Sequence, residues 1–158
     1  MDRDMKMKSI VTSVSTIFNG NQKAYIYILV SKKWEAVYVG QTNDALGTLG
    51  RLSSHMQPNG AFRKNFENKI GIGLEKANDV MLLSFVLPSK SEFINAGSSY
   101  REAVEYLVQK ELQIIRGNLD PSFKVISNVR YIDLASKSIV KKCARKIVNK
   151  FKEKYEYL

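Results

Sequence analysis

The chain has 158 residues, 44% of them hydrophobic and 25% charged, and its 25 Lys and Arg against 15 Asp and Glu leave a formal charge of +10. A single domain over residues 1–158 is the expectation, because typical domains run about 100–200 residues and no apolar run approaches the ~18–20 residues that span a bilayer. One cysteine (Cys143) and one histidine (His55) exclude an internal disulfide and a four-ligand zinc site.

Met1–Lys8 is charged and Ser9–Phe18 mixes Ser and Thr with apolar residues, unlike a signal peptide, so a reducing cytoplasm is the expected compartment. The excess positive charge points to polyanions, nucleic acid first; a ribosome or an anionic membrane surface fits the charge equally well.

In chain order, Ile10, Val11, Val14, Ile17 and Phe18 are spaced for a short amphipathic helix within an N-terminal extension over residues 1–20. Tyr25–Val30 and Ala36–Val39 read as two antiparallel strands joined through the polar Ser31–Glu35 stretch. Asn43 and Asp44 offer N-cap chemistry for a helix running through Arg51 and His55 toward Pro58. Pro58–Asp79 reads as a loop with a short helix near Ala61–Lys69, Val80–Leu87 as a third, well-buried strand, and Ser89–Ser99 as a loop. Tyr100–Arg116 has a clear apolar helical face, closed by Gly117-Asn118. Phe123–Ile132 contains at most a short extended piece. Residues 134–158 form an amphipathic helix whose outer side carries eight Lys or Arg against two Glu, so +6 of the +10 sits there.

Three constellations carry chemistry. Tyr25-Ile26-Tyr27 and Tyr38-Val39-Gly40 lie on the consecutive strands, with Tyr27 eleven residues before Tyr38; a turn centred on Lys32-Lys33 would set the two tyrosines opposite each other. Arg51 and His55 are four residues apart and share a helix face, where a guanidinium suits phosphate oxygens. On a helical wheel Glu111 falls at the centre of the face made by Val104, Leu107, Val108, Ile114 and Ile115. A buried carboxylate needs a compensating cation there, either an Arg or Lys partner or a divalent metal.

Together these residues resemble the GIY-YIG nuclease superfamily over roughly Ala24 to Asn128. The resemblance implies an α+β fold, a small three-stranded mainly antiparallel β-sheet flanked by helices, with residues 24–130 as the nuclease core and 134–158 as an extra basic C-terminal helix. It implies Tyr27 as general base, Tyr38 as supporting tyrosine, Arg51 on the scissile phosphate, His55 near the phosphate or the tyrosine proton, and Glu111 as ligand of one Mg2+ (or Mn2+). Ile115 matches the apolar residue that follows the family glutamate by four, and Glu105 is the competing assignment. Gly40 would let the backbone pass close to the site. Tyr25 replaces the first glycine of the name-giving motif, and Gln41 stands where many relatives have Lys or Ser. Lys124 stands where the family has an asparagine, which leaves Asn128 or Asn118 to frame the site.

The implied activity is metal-dependent hydrolysis of DNA, double-stranded or branched, with no membrane partner. Lys137, Lys141, Lys142, Arg145, Lys146 and Lys150 are the candidate contacts to the DNA backbone, and such binding falls steeply with salt. The alternatives are a GIY-YIG-like nucleic-acid-binding protein with a weakened site and a basic adaptor for an acidic protein.

Overall fold

A computed structural model of the protein describes Ser9, Val11, Val14, residues 23–95, Gly97 and residues 99–158. The expected helix in the N-terminal extension lies almost wholly outside the described residues.

The aromatic and β-branched runs form a hairpin of β1 (Tyr25–Ser31) and β2 (Ala36–Thr42). Glu35, at φ 51°, closes the turn by donating its N–H to Lys32 O at 3.2 Å. The turn is therefore centred one residue later than Lys32-Lys33, and the register moves by two: Tyr27 pairs with Gly40 and Tyr38 with Leu29. An even shift keeps both tyrosines on one face, because strand side chains alternate with period two. They are diagonal neighbours and not a direct pair.

β3 (Met81–Val86) lies antiparallel on the far side of β1, and β4 (Lys124–Val125) lies parallel to the start of β2, giving the order β3-β1-β2-β4. The sheet is thus mixed and four-stranded, against the expectation of three mainly antiparallel strands. The added strand is two residues long, too short to write a period into the sequence. β3 also departs from the well-buried strand expected: it is a sheet edge, with Met81 and Val86 exposed.

The helices are α1 (Gly47–Met56), α2 (Ala61–Ile70), the short α3 (Ser91–Ile94) inside the expected loop, α4 (Ser99–Ile115) and α5 (Ser138–Tyr155). Neither Asn43 nor Asp44 caps α1, whose cap residue is Leu46 with no side-chain cap bond; Asp44 Oδ1 instead accepts the Leu46 N–H at 2.8 Å in the turn before the helix, and Asn43 Nδ2 donates to Ile94 O at 3.0 Å. Ile26, Ile28, Val30, Val37 and Val39 face α4 and α5, while Tyr27, Leu29, Ala36 and Tyr38 face Phe62 and Phe66 of α2. Covering both faces explains why all seven β1 residues are buried. α5 buries Val140, Ala144, Ile147, Val148, Phe151 and Tyr155 and leaves its lysines and Arg145 exposed. Among the described residues, no helix is long and apolar enough to cross a membrane.

Candidate active site

Because β4 ends at Val125, β2 has no strand partner on that side beyond Val37. Side chains take over: Val39 N–H donates to Ser127 Oγ at 2.7 Å, and Gln109 Nε2 of α4 donates to Val39 O at 3.4 Å. At this open edge, polar residues of α4 share an electrostatic neighbourhood with the tyrosine face of the hairpin.

The Tyr27 ring lies directly over Gly40. A Cβ at position 40 would overlap the phenol oxygen and Cζ and sit 2.7 Å from Cε2, so glycine here makes room for the tyrosine. Gly60 has a similar role behind α1, where a Cβ would overlap the last carbonyls of that helix, Ser54 O and His55 O. That close turn brings the start of α2 onto His55.

His55 is 3% exposed, and its two ring nitrogens are both engaged. Phe62 N–H donates to Nδ1 at 3.2 Å, and Nε2 lies 2.5 Å from Tyr27 Oη. A nitrogen that accepts carries no proton, so the neutral ring holds its proton on Nε2 and donates it to the Tyr27 oxygen. Burial, reinforced by the Arg51 charge, pushes the imidazole down to about 4. Tyr38 sets its ring against His55 at 5.2 Å and against Phe62 at 5.5 Å.

Burial, then Tyr38, holds the Tyr27 phenol well above its ordinary value, while the charge and hydrogen bond of Arg51 pull the other way. Tyr38 is pushed up to about 12 by burial and then by Glu105, with Arg51 opposing. Arg51 Nε is buried and, among the described residues, has no hydrogen-bond acceptor.

The two candidate glutamates of α4 part company. Glu105 interacts with Tyr27, Tyr38 and Arg51, and burial followed by the Glu102 charge pushes its carboxyl up to about 8. Gln109 Nε2 donates to its Oε1 at 3.1 Å and reaches Asn128 O at 3.3 Å. Glu111 is exposed, in a groove between α4 and α5 beside Lys141, Arg145 and Lys152. The wheel misplaces it because it counts Ile114, which is 70% exposed, and ignores the buried polar residues Arg101 and Gln109, which rotate the true core face away from Glu111.

Asn128 and Gln41 line one small cleft of about 150 Å3 with Glu102, Glu105, Gln109 and Arg130. Asn118 lies in the turn after α4, outside that lining. Arg101 and Gln109 escape the sequence reading, although Arg101, Glu105 and Gln109 recur at spacing four on an otherwise apolar stripe, a polar row that signals a buried network.

The donor set fits a hard divalent cation in part. Glu105 is a half-buried carboxyl between the opposing charges of Arg51 and Glu102, which suits an ion that keeps waters and takes oxygen from a substrate. Among the described residues, no group of three or more His, Cys, Asp or Glu gathers around one point, so a metal enclosed by protein ligands does not fit.

Hairpin tyrosines, an Arg and a His from one helix turn, and a glutamate from a later helix therefore meet at one place. Residues 23–118, more than half of the chain, match the GIY-YIG catalytic domain. The chain belongs to the GIY-YIG nuclease superfamily. The matched segment carries Tyr27, Tyr38, Arg51, His55 and both glutamates of the GIY-YIG comparison, whereas β4, Asn128 and α5 follow it. No curated protein and no solved structure matches the chain.

Proposed function

We propose that this protein is a metal-dependent DNA endonuclease in which Tyr27 is the general base and Glu105 holds the divalent cation. The observation that carries the proposal is Arg51 Nε, a buried donor beside Tyr27 with no acceptor among the described residues. An unmet buried donor is costly, and a phosphodiester oxygen is the acceptor that its position suits.

A bound Mg2+ or Mn2+ would supply Lewis-acid stabilisation of the phosphate and of the leaving 3′ oxygen. The chain's own residues do the rest. Arg51 and the Nε2–H of His55 both direct hydrogen bonds at Tyr27 Oη, which oppose the burial and the Tyr38 ring that hold the phenol protonated; a bound cation would add to that pull toward the phenolate that accepts a proton from the attacking water. His55 cannot take the tyrosine's proton, because Nε2 already carries one and Nδ1 is held by Phe62 N–H. The phenol proton therefore goes to an acceptor other than His55. Gln109 orients the Glu105 carboxylate, and the exposed Lys137, Lys141, Lys142, Arg145, Lys146 and Lys150 of the last segment bind the DNA backbone without reading bases.

The test is cleavage of supercoiled and branched DNA with Mg2+ or Mn2+ by wild type, Tyr27→Phe, Glu105→Gln and Glu111→Gln. Cutting is expected in wild type and Glu111→Gln and lost in the other two. Cutting that survives Glu105→Gln but not Glu111→Gln would return the metal to Glu111. Tight, salt-sensitive binding without any cutting would make the protein a nucleic-acid-binding member of the family with a weakened site.

A further inference from the structure

Arg101 is a cation buried to 3% exposure whose hydrogen bonds among the described residues go to uncharged oxygens. Its Nη1 donates to the carbonyls of Phe93 at 2.9 Å, Asn95 at 2.6 Å and Gly97 at 3.2 Å, and its Nε donates to Gln41 Oε1 at 2.8 Å. The first three bonds clamp the segment before α4. The fourth fixes an amide at the end of β2. A guanidinium only donates, so the Gln41 atom that faces it must be the oxygen, and the amide cannot flip.

That leaves Gln41 Nε2 as a donor of fixed position on a half-buried side chain, in the wall of the small cleft that holds Glu105. None of the hydrogen bonds among the described residues uses this nitrogen. A buried cation hydrogen-bonded to neutral oxygens is expensive, and locking one amide orientation gives this one a purpose.

Building on the nuclease reading above, we propose that Gln41, locked by Arg101, donates Nε2–H to a non-bridging oxygen of the scissile phosphate. In this arrangement Arg51 approaches the same phosphate from the α1 side and Gln41 from the end of β2. Arg101 is a positioning residue that acts only through the amide.

The experiment compares wild type, Gln41→Met and Gln41→Glu on short duplexes carrying an Rp or an Sp phosphorothioate at the cut site. Wild type is expected to discriminate between the diastereomers, since sulfur is a poor acceptor at the oxygen that Gln41 contacts. Gln41→Met should cut the all-oxygen duplex about 10- to 100-fold more slowly, the loss typical of one hydrogen bond to a charged group, and should lose that part of the discrimination. Gln41→Glu keeps an acceptor for Arg101, so its thermal midpoint should hold while the discrimination is lost in the same way. A Gln41→Met enzyme that slows equally on both diastereomers, or that matches wild type, overturns the proposal and leaves the nuclease reading intact. A wild-type protein inert toward DNA overturns both.

Discussion

On one face of the β1–β2 hairpin, Ile26, Ile28, Val30, Val37 and Val39 meet the apolar side chains of α4 and α5; on the other, Tyr27 and Tyr38 meet His55 and Phe62. Both faces are dry, with no residue in either set more than 8% exposed. Dryness therefore does not distinguish core from site. The first face buries only hydrocarbon, whereas the second buries a phenol oxygen and an imidazole that each require partners, and those partners arrive from α1 and α2. Substitutions on the two faces should separate stability from chemistry.

The largest separation is expected between Tyr27→Phe and Phe151→Ala. Removing the phenol oxygen should slow DNA cleavage by about 10²–10⁴-fold, the usual contribution of a general base, and should cost only about 1–3 kcal/mol in urea unfolding, the penalty for leaving the buried His55 Nε2–H without its acceptor. Phe151→Ala, beneath α5, should cost about 3–5 kcal/mol in urea unfolding, while the fraction that remains folded cuts normally. Equal losses of stability in both variants would erase the distinction between the faces.

Next in size is Gly40→Ala, which forces a methyl into the Tyr27 ring. It should destabilise by about 1–3 kcal/mol, as overpacking does, and should also slow cleavage because the displaced ring is the general base. A variant with lowered thermal midpoint but full activity would show that the ring position does not matter.

A smaller effect is expected from pH. Glu105, held up to about 8, must ionise before it binds a cation, so the acid limb of cleavage should lie near that value at low Mg2+ and move to lower pH as Mg2+ rises. His55, held down to about 4, stays neutral across this range and should add no limb near 6.5. Their linkage to folding runs in opposite directions. The raised Glu105 stabilises the metal-free fold below about 4.5 and loses that contribution as pH climbs through about 8; the lowered His55 contributes above about 6.5 and loses it as pH falls through about 4. Rate profiles at two Mg2+ concentrations and pH-dependent unfolding check both signs. The smallest change is expected from Lys142→Ala with Lys146→Ala, which should lower the log–log salt slope of DNA binding by about 2 without altering cleavage at saturation.

Much of this was legible in the residues. The hairpin, the long helix beginning near Tyr100 and the last helix follow from local pattern, and Tyr27, Arg51 and His55 stand together because each lies on an element that its own neighbours specify. The register was not legible, since Glu35 in a left-handed turn conformation sets it and nothing in Ser31–Glu35 demands that conformation. Nor was β4, whose two residues are placed by Lys124 N–H on Glu35 O and Ile126 N–H on Val37 O, contacts remote in sequence. Glu111 looked central because apolar neighbours mark a helix face well when the core is purely apolar. Here the buried stripe contains Arg101 and Gln109, which pattern analysis counts as surface.

The open edge of β2 also has a kinetic meaning. Tyr27 and Arg51 sit early in the chain, but Glu105 and Gln109 reach the hairpin only once α4 has docked through Val104, Val108 and Leu112, more than seventy residues after Tyr27. Contacts of such sequence separation form late, after their loop-closure entropy has been met. The carboxylate thus joins the tyrosine and the arginine only in a chain whose α4 has docked on the hairpin, and the candidate site is complete only in the folded domain.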